Sequence, residues 1–178
     1  MIQEFSTHPK PANKNAKIAF LVAILVSALG FVTYFVIDKY KGIVGTAALM
    51  MLTTAILFYT KYISPEFYYD ITIDSEGTPV FVVRQIIGKR QTTLCRIDLA
   101  DIASVTKQSS VERKAHKTAA GYKAYVYTPT LMPSKTYLIT VTSRYEKAEI
   151  RIEGTDEFAE LLLEYSKEAR DMREADAE

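Results

Sequence analysis

The chain has 178 residues, 24% of them charged and 48% hydrophobic, with one cysteine and a net charge of +1. A lone cysteine excludes an intrachain disulfide and fits a reducing compartment. Charge is uneven, −7 over residues 153–178 and +8 over the rest, yet no concentrated basic domain exists, so nucleic acid is not an expected partner.

Residues 1–17 form a polar amino-terminal arm with Lys10, Lys14 and Lys17. Ile18 to Ile37 then run without a charge. At ~1.5 Å per residue, such a helix covers ~30 Å, one hydrocarbon core. A secretion signal has a shorter apolar stretch, roughly 7–15 residues. A second uncharged run, Gly42 to Thr60, follows after only Asp38–Lys41. Two soluble core helices would need more chain to wrap them than remains. The pattern predicts a transmembrane hairpin over 18–63, with helices at about 18–37 and 43–61.

The flanks agree. Tyr34, Tyr40, Tyr59 and Tyr62 sit near the helix ends, where amphipathic rings favour the interface, and Lys39, Lys41 and Lys61 reach headgroups. Small residues fall on one face of each helix: Ala19, Ala23, Ser27 and Gly30, then Gly45, Ala48 and Ala55. Such faces let helix backbones approach closely in lipid. Basic residues before the first helix and after the second place both termini in the cytoplasm, at the plasma membrane.

Pro65 ends the hairpin within a linker at 64–67. Beyond it the period becomes alternating. Strands are predicted at Tyr68–Ile73, Val80–Ile87, Gln91–Ile97, near Ile102–Lys107, at Tyr122–Thr128, Lys135–Thr142 and Lys147–Ile152. In the last, Ala148, Ile150 and Ile152 face in, while Lys147, Glu149 and Arg151 face out. Residues 108–121 read as a polar loop. Thr155 is a fitting N-cap for a helix to about residue 173, with an apolar stripe of Phe158, Leu161, Leu162, Tyr165, Ala169 and Met172. Residues 174–178 are an acidic tail. Seven antiparallel strands under a terminal helix predict a small barrel or sandwich over 68–173.

Chemistry is sparse. His8 and His116 lack partners at metal-ligand spacing, so no metal and no cofactor is expected. Cys95 sits inside a strand and Asp98 and Asp101 suit a turn, so no catalytic residue and no enzyme activity is expected. Tyr125 and Tyr127 share a strand face that suits either packing or an interface. Lys107, Arg113, Lys114, Lys117 and Lys123 flank or occupy the polar loop against Glu112 alone. From this cluster, Arg113, Lys114 and Lys117 are the candidates to touch anionic lipid or an acidic partner surface.

The order of elements from Ile18 to Met172, and locally Leu94–Val105 (LCRIDLADIASV), resembles bacterial pleckstrin-homology-like (PH-like) domain proteins with an amino-terminal two-helix membrane anchor. The resemblance implies a mainly β, membrane-anchored, non-catalytic interaction or regulatory module at the cytoplasmic face. It implies no particular ligand. Eukaryotic pleckstrin-homology domains commonly hold inositol lipids with a basic first turn. Here that turn is Asp74-Ser75-Glu76-Gly77, which argues against this route. The partners expected are the bilayer and an unidentified protein; the alternative function is an accessory or assembly subunit of a larger membrane complex.

Overall fold

The computed structural model describes residues 3–9, 14–131, 133, 135–143 and 146–175. Lys10 and the end of the acidic tail, Asp176 to Glu178, lie outside the described residues. The chain divides into two compact units: Ala12–Pro65, and Met1–Pro11 together with Glu66–Glu178.

The first unit is a helical hairpin. Helix α1 spans Lys14–Val36, and α2 spans Lys41–Phe58, continuing as a π-helical turn over Tyr59–Ile63. Both are long and apolar enough to cross a membrane, and only 11% of each apolar window is buried. A soluble core helix would be covered, whereas Leu21, Leu25, Val32, Phe35, Ile43 and Met50 point outward uncovered. The helices run antiparallel, since Tyr34 packs on Gly45 and Phe20 lies near Tyr59. The expected small residues form the seam: Ala23, Ser27, Ala48 and Ala55 are buried, and the Ser27 hydroxyl donates to the Ala48 carbonyl at 3.0 Å. A Cβ on Gly30 would lie 2.9 Å from the Ala48 Cβ, so glycine is what lets the helices close there. Ala19, one turn before Ala23, is half-buried.

Among the described residues, the second unit holds eight strands in two four-stranded sheets, not seven strands, and the sheets do not close into a barrel. One sheet has the order β1-β2-β3-β4, from Phe5–Thr7, Pro65–Ile73, Pro79–Ile87 and Arg90–Asp98. Strand β1 lies inside the stretch expected to be a polar arm. It pairs antiparallel with β2, Thr7 opposite Tyr69, so the hairpin is inserted between two neighbouring strands of one sheet. Phe5 stacks on Phe158 and His8 on Tyr68, which fixes the arm to the domain. The expected linker is absorbed as well, because Pro65–Phe67 open β2.

The other sheet has the order β5-β7-β8-β6, from Ile102–Gln108, Thr136–Thr142, Lys147–Ile152 and Lys123–Tyr127. Strand β6 pairs with β8 in parallel, which corrects the all-antiparallel expectation. The connection after β6 carries Pro129 and Pro133 and leads to a β7 that lies beyond β8.

Helix α4, Asp156–Ala175, begins as expected: the Phe158 amide donates to Thr155 Oγ1 at 3.2 Å. Phe158 is fully buried, with its ring 5.9 Å from Phe5, 6.2 Å from Tyr69 and 6.3 Å from Phe81. Leu162 and Ala169 are buried on the same stripe, but Met172 at its end is exposed.

The Asp156 carboxylate ties α4 to the second sheet. It accepts from Lys107 at 2.5 Å, from the Tyr137 hydroxyl and from Lys135 at 3.0 Å. Those hydrogen bonds, Lys107 first, hold its carboxyl well below the usual carboxylate range. A depressed carboxyl stabilises the fold above its unfolded pKa of ~3.9 and loses that contribution as pH falls below it. Asp156→Asn is therefore expected to lower the melting temperature at pH 7, and the gap to the unmodified chain should narrow as pH drops from about 5 to 3. Thermal melts of the full chain across that range check this; a gap that widens on acidification is the contrary result.

Candidate functional site

After β5, the stretch expected to be a loop builds a short helix, α3, over Ser110–Ala115. A reciprocal capping box starts it: the Glu112 amide donates to Ser109 Oγ at 3.3 Å, and the Ser109 amide donates to Glu112 Oε2 at 2.7 Å. The segment then lies against the outer face of the second sheet. His116 Nε2 is 2.7 Å from Glu149 Oε2, and the Ala119 amide donates to Glu149 Oε1 at 3.1 Å. Glu149 faces out from β8 as its alternation predicts, yet it is only 7% exposed because this segment covers it. Burial pushes its carboxyl up, but His116, the Ala119 amide and Arg151 together pull it below the ordinary value.

The three expected contact residues do not act as one surface. Arg113 turns toward the sheet and donates through Nη1 to the Pro133 carbonyl at 2.9 Å. Lys114 and Lys117 are exposed. The wider basic cluster is partly neutralised, since Lys107 pairs with Asp156 and Lys123 with Glu146 at 3.3 Å. What Arg113 meets instead is Arg151 from β8, across a cavity of about 130 Å³ that His116 and Glu149 also line. Arg151 is the residue the sequence reading missed as a site residue. Its only signal was an outward position on β8.

A second, larger concavity of about 470 Å³ opens between β4 and the second sheet, with Val141, Ala148 and Ile150 as an apolar floor. Strand β4 carries a bulge at Leu94: Cys95 lies opposite Val83, but Thr93 lies opposite Arg84. The Tyr127 hydroxyl donates to the Leu94 carbonyl at 3.4 Å and the Tyr125 hydroxyl to Glu146 Oε1 at 2.9 Å. The two rings stack at 6.1 Å, so the tyrosine face of β6 is a wall of this cleft. Burial, then the Glu146 charge, pushes the Cys95 thiol up to about 11. At neutral pH it stays protonated, which makes it a poor nucleophile.

Asp98 and Asp101 share the guanidinium of Arg173 on α4, at 3.4 and 2.7 Å, and so fasten the helix end to the 3-10 turn Leu99–Asp101. In the first turn of the domain, Asp74 pairs with Arg96, and Gly77 takes a φ of 81° that favours glycine. Among the described residues, no group of three or more His, Cys, Asp or Glu side chains is placed to hold a metal. The chain matches no family model, no curated protein and no solved structure.

Proposed function

We propose that the protein is a membrane-anchored, non-catalytic interaction or regulatory module of the PH-like type. Its hairpin crosses the plasma membrane twice, and both termini and the β-rich unit lie on the cytoplasmic side. The observation that carries this reading is the uncovered apolar surface of α1 and α2, which a bilayer satisfies and water does not. Lys14, Lys17 and Lys61 at the open end of the hairpin support the orientation. The β-rich unit supports a binding role through two concavities, and the thiol in the larger one, Cys95, is held protonated by burial and by the Glu146 charge.

A second reading, an accessory subunit of a larger membrane complex, is favoured by one feature. An apolar groove of about 460 Å³ runs beside the helix seam, lined by Gly30, Ala47, Ala48 and Met51, a shape that suits another helix. Extraction with mild detergent after crosslinking in native membranes separates the two. A small species with substoichiometric partners supports the module, and a large stoichiometric assembly supports the subunit. Release of the uncrosslinked chain by alkaline carbonate overturns both.

A further inference from the structure

We infer that Arg113 and Arg151 form a binding site for one oxyanion of the phosphate class, seated in the cavity between the α3 segment and the outer face of the second sheet. The first support is the lack of a direct ion pair, although Glu149 is near enough to act on Arg151 and Glu153 on Arg113. Elsewhere in this unit Arg84 meets Asp70, Arg96 meets Asp74, and Arg173 meets Asp98 and Asp101. Arg113 and Arg151 have no carboxylate at ion-pair distance among the described residues, although both are half-buried. Each spends a donor on a neutral oxygen: Arg113 on the Pro133 carbonyl, Arg151 Nε on the Gln108 side chain at 3.3 Å. Most of the N–H donors on the two forks are left without a protein acceptor among the described residues.

These anchors also fix the forks. Arg113 is held on a capped helix and Arg151 on a central strand, so little side-chain freedom remains to lose on binding. Two such like charges beside each other are costly. Burial, and after it the Arg113 charge, pulls Arg151 below the ordinary arginine range. A bound oxyanion removes that repulsion and accepts from both planar forks, the geometry in which guanidinium exceeds ammonium as a phosphate ligand.

Size and the remaining walls narrow the ligand. About 130 Å³ admits a single tetrahedral group and no ring system beside it. Glu149 is the one acid in the wall, and its two oxygens are engaged by His116 and the Ala119 amide. Val126 and Leu138 supply the apolar side of the cavity. Lys114 and Lys117, exposed on the same segment, raise the local positive potential and with it the capture rate. A lipid headgroup phosphate and free inorganic phosphate share this chemistry. The site stands whether or not α1 and α2 cross a bilayer; only the headgroup source rests on that reading.

The test uses the full chain in two arms, both followed by NMR of the arginine Nε–H groups. In one, the detergent-solubilised protein is titrated with inorganic phosphate against chloride at matched ionic strength. In the other, nanodiscs of phosphatidylcholine are compared with nanodiscs containing phosphatidic acid. The expected result is a saturable shift of the Arg113 and Arg151 signals beyond the control in at least one arm. Phosphate alone giving the shift assigns the free ion, and phosphatidic acid alone assigns the headgroup. Arg151→Gln should weaken binding at least about tenfold, and Arg151→Lys, which keeps the charge and spares the fold, should also weaken it because the fork is gone. Lys114→Gln with Lys117→Gln should change it less than about threefold. No shift beyond control in either arm overturns the inference, as does a folded Arg151→Lys or Arg151→Gln that binds like the unmodified chain.

Discussion

Phe158→Ala should cost the β-rich unit about 3–5 kcal/mol, the range for deleting a fully buried aromatic ring. Phe158 joins three elements that are distant in sequence: its ring meets Phe5 on β1, Tyr69 on β2 and Phe81 on β3. Two of these neighbours are held in place, since Tyr69 is anchored through its hydroxyl to the Tyr127 carbonyl at 2.5 Å and Phe81 is fully buried. Against a total stability of roughly 5–15 kcal/mol for a domain, the melting temperature should fall by more than about 10 °C. Met172→Ala, on the same helix but 43% exposed, should stay within about 0.5 kcal/mol. Circular-dichroism melts of the full chain read both. A Phe158→Ala chain that melts with the unmodified one would show that α4 does not close this core.

The second large effect is all-or-none. In a Cys95→Ser background, Tyr40→Cys places a thiol in the turn between α1 and α2, and Ser75→Cys places one in the β2–β3 turn. Both positions are exposed, and the β2–β3 turn is ordered by Asp74–Thr78 and Gly77–Asp74 backbone hydrogen bonds of 2.8 and 2.9 Å. A thiol reagent that cannot cross membranes should label position 40 from outside intact cells and leave position 75 unlabelled until lysis. The opposite pattern inverts the proposed orientation, and protection of both before lysis removes the hairpin from the outer surface.

The helices and the terminal cap were legible because their physics is local. A run without charge long enough for a bilayer needs no partner to be recognised, and the Ala23, Ser27, Gly30, Gly45, Ala48, Ala55 face follows from helical spacing alone. Thr155 and the Phe158, Leu162, Ala169 stripe are equally local. Strand β1 was not legible. Three residues carry no period, and its partner lies 64 positions on, where Ser6 donates to Asp70. Strand pairing was not legible either. Alternation marks Lys123–Tyr127 as a strand without saying that β8 is its neighbour or that the pair is parallel.

The α3 segment stands between these cases. Its Ser109-x-x-Glu112 spacing is a helix-start signature present in the sequence, within a stretch whose composition is that of a polar loop. Arg151 is not legible in the same way, because an outward position on a strand is exposed only where nothing is folded back on it. Arg113 was singled out for its charge. Its orientation depends on the Pro133 carbonyl, which only the tertiary fold supplies.

The pairing of β1 with β2 across the inserted hairpin has a consequence for parity and for synthesis. Two strands of one sheet lie on one side of any membrane, so the chain between Thr7 and Tyr69 makes an even number of crossings whatever its flanking charges. During synthesis, β1 leaves the ribosome first and must wait through both helices for its neighbour. Until the hairpin is in place, the β2 edge stays unpaired, the kind of edge that recruits other chains. Phe158 arrives later still and seals Phe5 against the sheet only then. Completion of the β-rich unit thus waits on the chain that separates β1 from β2, and a chain in which β1 has not docked carries an open sheet edge.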